Sequence, residues 1–489
     1  MNCQLNPDNI RSLDLLPSVG IVIVSWNKKV DLLKLLDQIE SLNYSAAAVV
    51  VVDNASDDGS ADEVKSRHPK VTLIVNETNL GGTGGFNTGL DYCRVQGFDY
   101  MWLLDNDARI TPDALIHLVR VAEGDPTIGV VGSKILNAEE PAYIVKLGAT
   151  IDWPRGLVRS KSQNVRNFES ASELNDVDYV PFCSALIRRS CFQATGRLDE
   201  RFFLYWDDTD YCLRSKRHGY KTVVATNSIV YHPSFTEKSR DYSYYLIRNT
   251  FLFFAKHVKP IPQILSFINI LNRFIKNLLF ARLIGDAKGA SVLFRGLTDF
   301  VCLRFGKYVP GASPYTEDFL QSLLSNNDLK GSSYLITFEG SADAMKLAFE
   351  LLPKNTKQRI TILIPYSRSD LYSDYHANIM ILDDRVNNLF LEYIRVFLKI
   401  VTERFDTVVT THRSMSPFAF AASRTYFFDF SSRAFRKVPI SRGKLPLLIL
   451  SILSSYLVTV IILPFFWGVG VFLFRQQCNV PITSVDRKF

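Results

Sequence analysis

The run Met101-Trp-Leu-Leu-Asp-Asn-Asp-Ala108 passes abruptly from apolar residues to two carboxylates one residue apart. A buried strand does not tolerate charge in its middle, so Asp105 and Asp107 are expected where the strand leaves its sheet. Residues i and i+2 of a strand point the same way, which lets both carboxylates reach one hard divalent cation. Such a cation is useful beside a diphosphate leaving group. A solvated turn, or a helix cap before Thr111-Pro112-Asp113, would use the same residues.

Other segments carry chemistry of their own. Trp206-Asp207-Asp208-Thr209-Asp210 places three acids behind the aromatic Phe202, Phe203 and Tyr205. That much aromatic surface suits a substrate pocket, where a carboxylate can deprotonate an acceptor hydroxyl as general base. Trp206 can stack on a sugar face. The same acids would also suit a helix N-terminus. Asp53 opens an Asn-Ala-Ser-Asp-Asp-Gly turn. Its carboxylate can accept a base imide N–H, one way to select uracil or thymine, although an Asx-turn explains the residues equally well. Gly81, Gly82, Gly84, Gly85 and Gly89 read as a loop whose backbone can approach a ligand closely. The spacing is neither a P-loop nor a clean dinucleotide fingerprint. His232, in Val230-Tyr-His-Pro, ends another apolar strand and is either structural or a third metal ligand.

The elements that must hold these groups follow from periodicity. Gly20 to Ser25, Ala46 to Val52, Val71 to Val75 and Tyr100 to Leu104 read as buried strands. Asp31 to Leu42 has leucines at helical spacing, and a helix follows the glycine run. Strands alternating with helices predict a doubly wound α/β sheet, whose active groups collect at the carboxyl ends of its strands. Asn27, Asp53 and Asp105 all fall at such ends. Val130 to Val230 adds further strands, with Val177 to Arg188 among them. Residues 241–305 read as helical, amphipathic and basic, suited to a membrane surface or to an ordinary helical subdomain. Tyr334 to Phe338, Ile360 to Ile364 and Thr407 to Thr410 read as strands of a second, smaller α/β domain. The expected organisation is a catalytic domain over 18–240, a helical basic extension over 241–310, a second α/β domain over 311–440 and an apolar segment over 445–474.

Composition bounds the rest. The 489 residues are 47% hydrophobic and 21% charged, which is globular, and the net charge of +7 is modest for the length. It suits an anionic small substrate or a membrane surface, and nucleic-acid binding is not expected. The seven cysteines (Cys3, Cys93, Cys183, Cys191, Cys212, Cys302, Cys478) are scattered, without C-x-x-C pairs, as expected of reduced thiols in a core. The first residues lack the apolar region of a secretory signal. Leu445 to Phe474 contains no charge and follows Arg436, Lys437, Arg442 and Lys444. Roughly 20 apolar residues span a bilayer, so a tilted helix or a re-entrant hairpin is expected there. The basic flank places the preceding part on the cytoplasmic side.

Taken in order, Val24-Ser-Trp-Asn27, Val52 to Gly59, Asn79 to Gly89, Leu104 to Asp107, Trp206 to Asp210 and Tyr231-His232 resemble the family 2 nucleotide-sugar glycosyltransferases of the GT-A fold. Tyr244-Tyr-Leu-Ile-Arg-Asn249 and Arg295-Gly-Leu-Thr-Asp299 resemble segments of the rhamnosyl- and galactofuranosyltransferase branch. The resemblance covers roughly residues 18 to 305 and leaves 311–440 unassigned. It implies an inverting transfer in which Asp105, Asp107 and His232 hold Mn²⁺ or Mg²⁺. Ser25, Asn27, Asp53, Gly84, Gly85, Asn87 and Asp105 would bind the nucleotide donor, with Asp53 reading the base. Asp208, with Asp207 the lesser candidate, would act as base, and Trp206 and Tyr205 would meet the acceptor. Asn106 departs from the commoner all-acidic form. Trp206-Asp207-Asp208 leans toward UDP-galactofuranose over dTDP-rhamnose.

The implied acceptor is a lipid-linked glycan in O-antigen, capsule or galactan synthesis, at the cytoplasmic face of the inner membrane. A homo-oligomer, or association with other polysaccharide-assembly enzymes, is compatible with that reading. Two rivals stand beside it. A nucleotidyltransferase would want basic residues in its glycine run, and Asn79 to Gly89 has none. A membrane-anchored sugar-binding or scaffold protein would not need Asp105, Asp107 and Asp208 intact.

Overall fold

The structure is a computed structural model. It describes residues 16–160, 174–233, 240–283 and 286–308, then six strands, residues 395–396 and parts of 455–468. Two compact units result. The first comprises Met1–Ile151, Val158–Gln163 and Asn167–Ser234, and the second comprises Asp152–Leu157, Asn164–Arg166 and Phe235–Phe489.

The first unit begins with regular alternation: β1 (Val19–Ser25), α1 (Lys29–Ile39), β2 (Ala47–Asp53), α2 (Ser60–Arg67), β3 (Thr72–Val75), α3 (Gly81–Gln96) and β4 (Tyr100–Asp105). A helical crossover returns the chain to the start of the next strand, so these four strands pair in parallel, in the order β3-β2-β1-β4. Val22, Val50 and Leu103 are fully buried between the helices and the sheet.

Thereafter the chain runs β5 (Arg109–Ile110), α4 (Ala114–Gly124), β6 (Ile128–Asn137), β7 (Ile144–Lys146), β8 (Ala149–Asp152), β9 (Leu157–Ser160), β10 (Leu174–Asp176), β11 (Ser184–Arg188), α5 (Arg189–Thr195), α6 (Asp207–Arg217) and β12 (Lys221–His232). The sheet continues β4-β11-β6-β12-β10, with β5 on β12 and β7 on β6, while β8 and β9 pair separately. Here the expectation of a doubly wound sheet needs correcting. β11 lies antiparallel between β4 and β6, so the sheet is mixed. Alternation predicts direction only where a helix joins neighbouring strands, and β11 arrives from a loop.

The inserted strand is held by polar groups as well as by packing. The Trp102 indole N–H donates to the Ser184 hydroxyl at 3.0 Å. Ser133 links that hydroxyl at 2.7 Å to Ser228 at 2.8 Å. Buried hydroxyls without partners would be costly, so this chain favours one register across four strands.

The second unit contains α7 (Arg240–His257), α8 (Pro260–Leu283) and α9 (Ala287–Val301). The two motifs at 244–249 and 295–299 meet within it. The Tyr244 hydroxyl donates to Asp299 at 2.9 Å, as does Arg295, and the buried Arg248 guanidinium lies over the rings of Tyr244 and Tyr245. They knit α7 to α9. The unit also holds β13 (Tyr334–Thr337), β14 (Ile360–Pro365), β15 (Asn378–Leu382), β16 (Thr407–Thr410), β17 (Arg424–Asp429) and β18 (Ala434–Val438). They form a sheet of order β15-β14-β13-β16-β17-β18, parallel except for β18. The apolar run over 445–474 and the N-terminal residues 1–15 lie largely outside the described residues. Among the described residues no helix is long and apolar enough to cross a membrane.

Candidate active site

Ser25 on β1 faces Asp53 on β2, and Val24 faces Asp105 on β4. Three strands therefore end at one level, and the loops beyond them share one edge. Asn27 has a left-handed backbone (φ 51°) and accepts from Asp57 N–H at 2.9 Å, while its own N–H donates to Ser56 at 3.0 Å. It ties the loops after β1 and β2 together. Asp53 is buried. Its Oδ2 accepts from Ser56 N–H at 3.0 Å, and its Oδ1 has no hydrogen-bond partner among the described residues. A buried carboxylate oxygen without a donor is costly, so Asp53 Oδ1 is placed to accept from a ligand N–H.

The carboxylates of Asp105 and Asp107 remain partly exposed, whereas His232 is buried. His232 Nε2 stands 3.5 Å from Asp105 and 3.3 Å from Asp107. Topology brings them together. Arg109 and Ile110 of β5 pair with Tyr231 and Val230 of β12, which sets His232 beside Asp107. A break in register between Ala225 and Ile229 re-aims the end of β12. His232 Nδ1 lies 2.8 Å from the Pro233 carbonyl, which can only accept, so Nδ1 is protonated whether the ring is charged or neutral, and Nε2 faces the carboxylates. Burial works against a charged imidazole, but hydrogen bonds to Asp105 and Asp107 and their charge hold it at about 10. Burial also opposes the charged form of Asp107, and His232 nonetheless holds that carboxyl below its ordinary value. Two carboxylates and an oriented imidazole fit the donor set of a divalent cation. Asn106 turns back and donates to the Ser25 hydroxyl at 3.0 Å, so the middle position is free to be non-acidic.

The three acids at the start of α6 separate by environment. Asp210 is buried and paired with Arg214 at 2.9 Å. Asp207 is buried and accepts from the Thr83 hydroxyl at 3.0 Å; burial, then the charge of Asp208, push it up to about 7. Asp208 is half-buried, and its Oδ1 accepts from Thr209 N–H at 2.6 Å. Burial raises it despite the opposing charge of Lys146. Of the pair, Asp208 is the more exposed. Phe203, Tyr205 and Trp206 just before it are all left-handed, with φ 63°, 65° and 73°. Such a run of non-glycine residues is strained and persists only where packing dictates it.

The glycine run supplies that packing, which revises the reading of this run, with the donor candidates Gly84, Gly85 and Asn87 in it, as a loop. These residues form no loop: α3 begins at Gly81. Cβ atoms at Gly85 and Gly89 would meet Val24 and Val22, so the glycines let α3 lie close on β1, while one at Gly84 would meet Leu80 of its own helix start. Gly81 has φ 74°, and a Cβ there would collide with the Phe203 carbonyl. Thr83 N–H donates to that carbonyl at 3.2 Å. Asn87 donates to Leu198 O and Glu200, both at 3.0 Å, and accepts from Leu198 N–H at 2.9 Å. Its polar atoms are committed to holding the segment before Phe202. Gly81→Ala is expected to destabilise the first unit by about 2–3 kcal/mol. A lower urea midpoint at unchanged slope is the signature, and an unchanged midpoint would refute this role.

Sequence reasoning missed three groups. Lys146, at the end of β7, lies 5.0 Å over the Tyr179 ring and within electrostatic reach of Asp208. Asn54 accepts from Asn76 and from Leu80 N–H, and donates to Asn79 and Gly81 O, anchoring the start of α3. Cys183 stands beside Asp105 and His232. Nothing local in the sequence marks any of them.

Residues 20–195 match the family described as Glycosyl transferase family 2. Over 266 residues the chain is 24% identical to galactofuranosyltransferase GlfT2 of Mycobacterium tuberculosis (strain H37Rv), covering 49% of this chain and 41% of that protein. It thus spans less than half the length of that relative. It is 25% identical over 265 residues to the N-acetylglucosaminyl-diphospho-decaprenol L-rhamnosyltransferase of the same strain, covering 50% of this chain and 84% of that protein. GalNAc-T7, solved with UDP, GalNAc and Mn²⁺, overlaps 53% of this chain and 51% of its own at 16% identity and a TM-score of 0.42, too loose to carry structural argument. Residues 20–195 of the first unit, whose strands form the mixed sheet that carries the ordered motifs, thus hold a family 2 glycosyltransferase domain.

Proposed function

We propose that the protein is an inverting, metal-dependent glycosyltransferase. It would move a hexose, galactofuranose before rhamnose, from a nucleoside-diphosphate sugar to a hydroxyl of a lipid-linked glycan in cell-surface polysaccharide synthesis. The observation that carries this is the convergence of Asp53, the Asp105–Asp107–His232 cluster and Asp208 in one unit. Asp53 Oδ1 accepts the base N–H and fixes the nucleotide. Asp105, Asp107 and His232 Nε2 would hold Mg²⁺ or Mn²⁺, which when bound offsets charge on the departing diphosphate. Asp208 takes the proton of the acceptor hydroxyl as that oxygen bonds to the anomeric carbon. The bond from that carbon to the diphosphate oxygen breaks, and the nucleoside diphosphate leaves with the electron pair. Attack from the side opposite the leaving group inverts the centre.

The lean to galactofuranose rests on Trp206-Asp207-Asp208 and on the similarity to the galactofuranosyltransferase GlfT2 named above. The lipid-linked acceptor and the cytoplasmic membrane location rest on the basic, then apolar, sequence after Arg436. The test is nucleoside-diphosphate release from UDP-galactofuranose, UDP-galactopyranose and dTDP-rhamnose, with and without EDTA, in both membrane and soluble fractions. Release from UDP-galactofuranose that EDTA abolishes, in the membrane fraction, is expected. No release from any donor would favour a non-catalytic sugar-binding protein, and activity confined to the soluble fraction would remove the membrane location.

A further inference from the structure

Cys183 belongs to the metal-facing cluster, yet the transfer chemistry gives it no work. Asp105 N–H donates to the Cys183 carbonyl at 3.2 Å, and the next step of the ladder pairs Ser184 with Leu104. Cys183 and Asp105 therefore stand opposite each other across two antiparallel strands, where facing side chains share a side of the sheet. The Cys183 Sγ, an Asp105 carboxylate oxygen and an imidazole nitrogen of His232 all lie within 4.8 Å of one another. Cys183 is buried, and Asp107 stands 3.3 Å from His232 Nε2 as a fourth donor.

This is an unusual set for Mg²⁺, which prefers oxygen donors. Sulfur and imidazole favour softer ions, and Zn²⁺ binds most ligand sets more tightly than Mn²⁺. Tetrahedral Zn²⁺ with bonds of about 2.0–2.3 Å needs its donors roughly 3.5 Å apart, so the cluster would close by about 1 Å. Rotation of Asp105 and Cys183, both at strand ends, can supply that.

We propose that Asp105, Cys183 and His232 form a site for a thiophilic divalent cation, Zn²⁺ foremost, which overlaps the catalytic cation's seat and excludes Mg²⁺ or Mn²⁺ from it. On binding, the thiol proton passes to solvent as the sulfur–metal bond forms, and no redox partner is involved. The proposal rests on the reading of Asp105 and His232 as a metal seat. Zn²⁺ then acts as an inhibitor whose grip depends on one sulfur atom.

The experiment titrates the full chain with Co²⁺ and follows near-ultraviolet absorption from thiolate-to-metal charge transfer, then displaces Co²⁺ with Zn²⁺. A band is expected in the wild type and in Cys302→Ser, which removes an exposed competing thiol, and is expected to vanish in Cys183→Ser. Zn²⁺ affinity should fall more than about tenfold in that variant. Cys183→Ala serves as a second variant should Cys183→Ser fold poorly. A wild type that binds Co²⁺ without the band overturns the thiol ligand but leaves the metal seat standing. A wild type that binds no Co²⁺ removes both. A band that survives Cys183→Ser and disappears in Cys302→Ser also overturns the proposal.

Discussion

Asp208→Asn is expected to lower kcat for sugar transfer by about 10²–10⁴-fold in a folded protein, the range associated with losing a general base. Asparagine preserves the size of the side chain and can still accept from Thr209 N–H, but it cannot take a proton. The donor should still bind, so its KM should change little. Asp207→Asn is the informative companion. Asp207 is buried against Thr83, and its amide can keep that hydrogen bond, so a smaller loss is expected. Single-turnover transfer from radiolabelled donor measures both variants. Near-normal turnover in Asp208→Asn, with collapse in Asp207→Asn, would exchange their roles.

Asp105→Ala should cost about 10³-fold or more in kcat/KM, comparable to removing a principal electrostatic contact to a leaving group. Excess Mn²⁺ should not restore it, because the carboxylate that faces both His232 and Cys183 is gone. The variant also removes one of the two carboxylates that keep His232 protonated in the absence of a cation. The imidazole should then lose its proton at a lower pH than the wild type, a shift that NMR of His232 can read without any activity. Retention of metal-stimulated transfer in Asp105→Ala would displace the cation seat from this cluster.

The legibility of the site differs residue by residue. Asp105 and Asp107 were visible because the end of an apolar strand, and the i, i+2 rule, are local properties. Asp53 was visible for the same reason. The glycine run misled: five glycines read as a loop, whereas they lie in α3, where Gly85 and Gly89 let the helix sit against Val24 and Val22 and Gly81 makes room for the Phe203 carbonyl. Helix propensity disfavours glycine, and close packing on the sheet outweighed it. The partners of Asn87, Leu198 and Glu200, were not legible, since they are more than a hundred residues away. The part of the chain over 311–440 lies outside the resemblance, and its strands form a sheet that is parallel except for β18.

By itself, the sequence determined the strand–helix alternation of the first unit, the level at which its strands end, and which acids stand there, because periodicity and charge placement are carried by neighbouring residues. Only the tertiary structure decided that β11 enters antiparallel beside β4, that β5 draws His232 up to Asp107, and that Thr83 claims the buried Asp207 while Asp208 stays half-buried. It alone put a cysteine opposite Asp105. Those pairings join residues far apart in the chain, and their register is set by hydrogen bonding and close packing across the sheet, which no local pattern encodes.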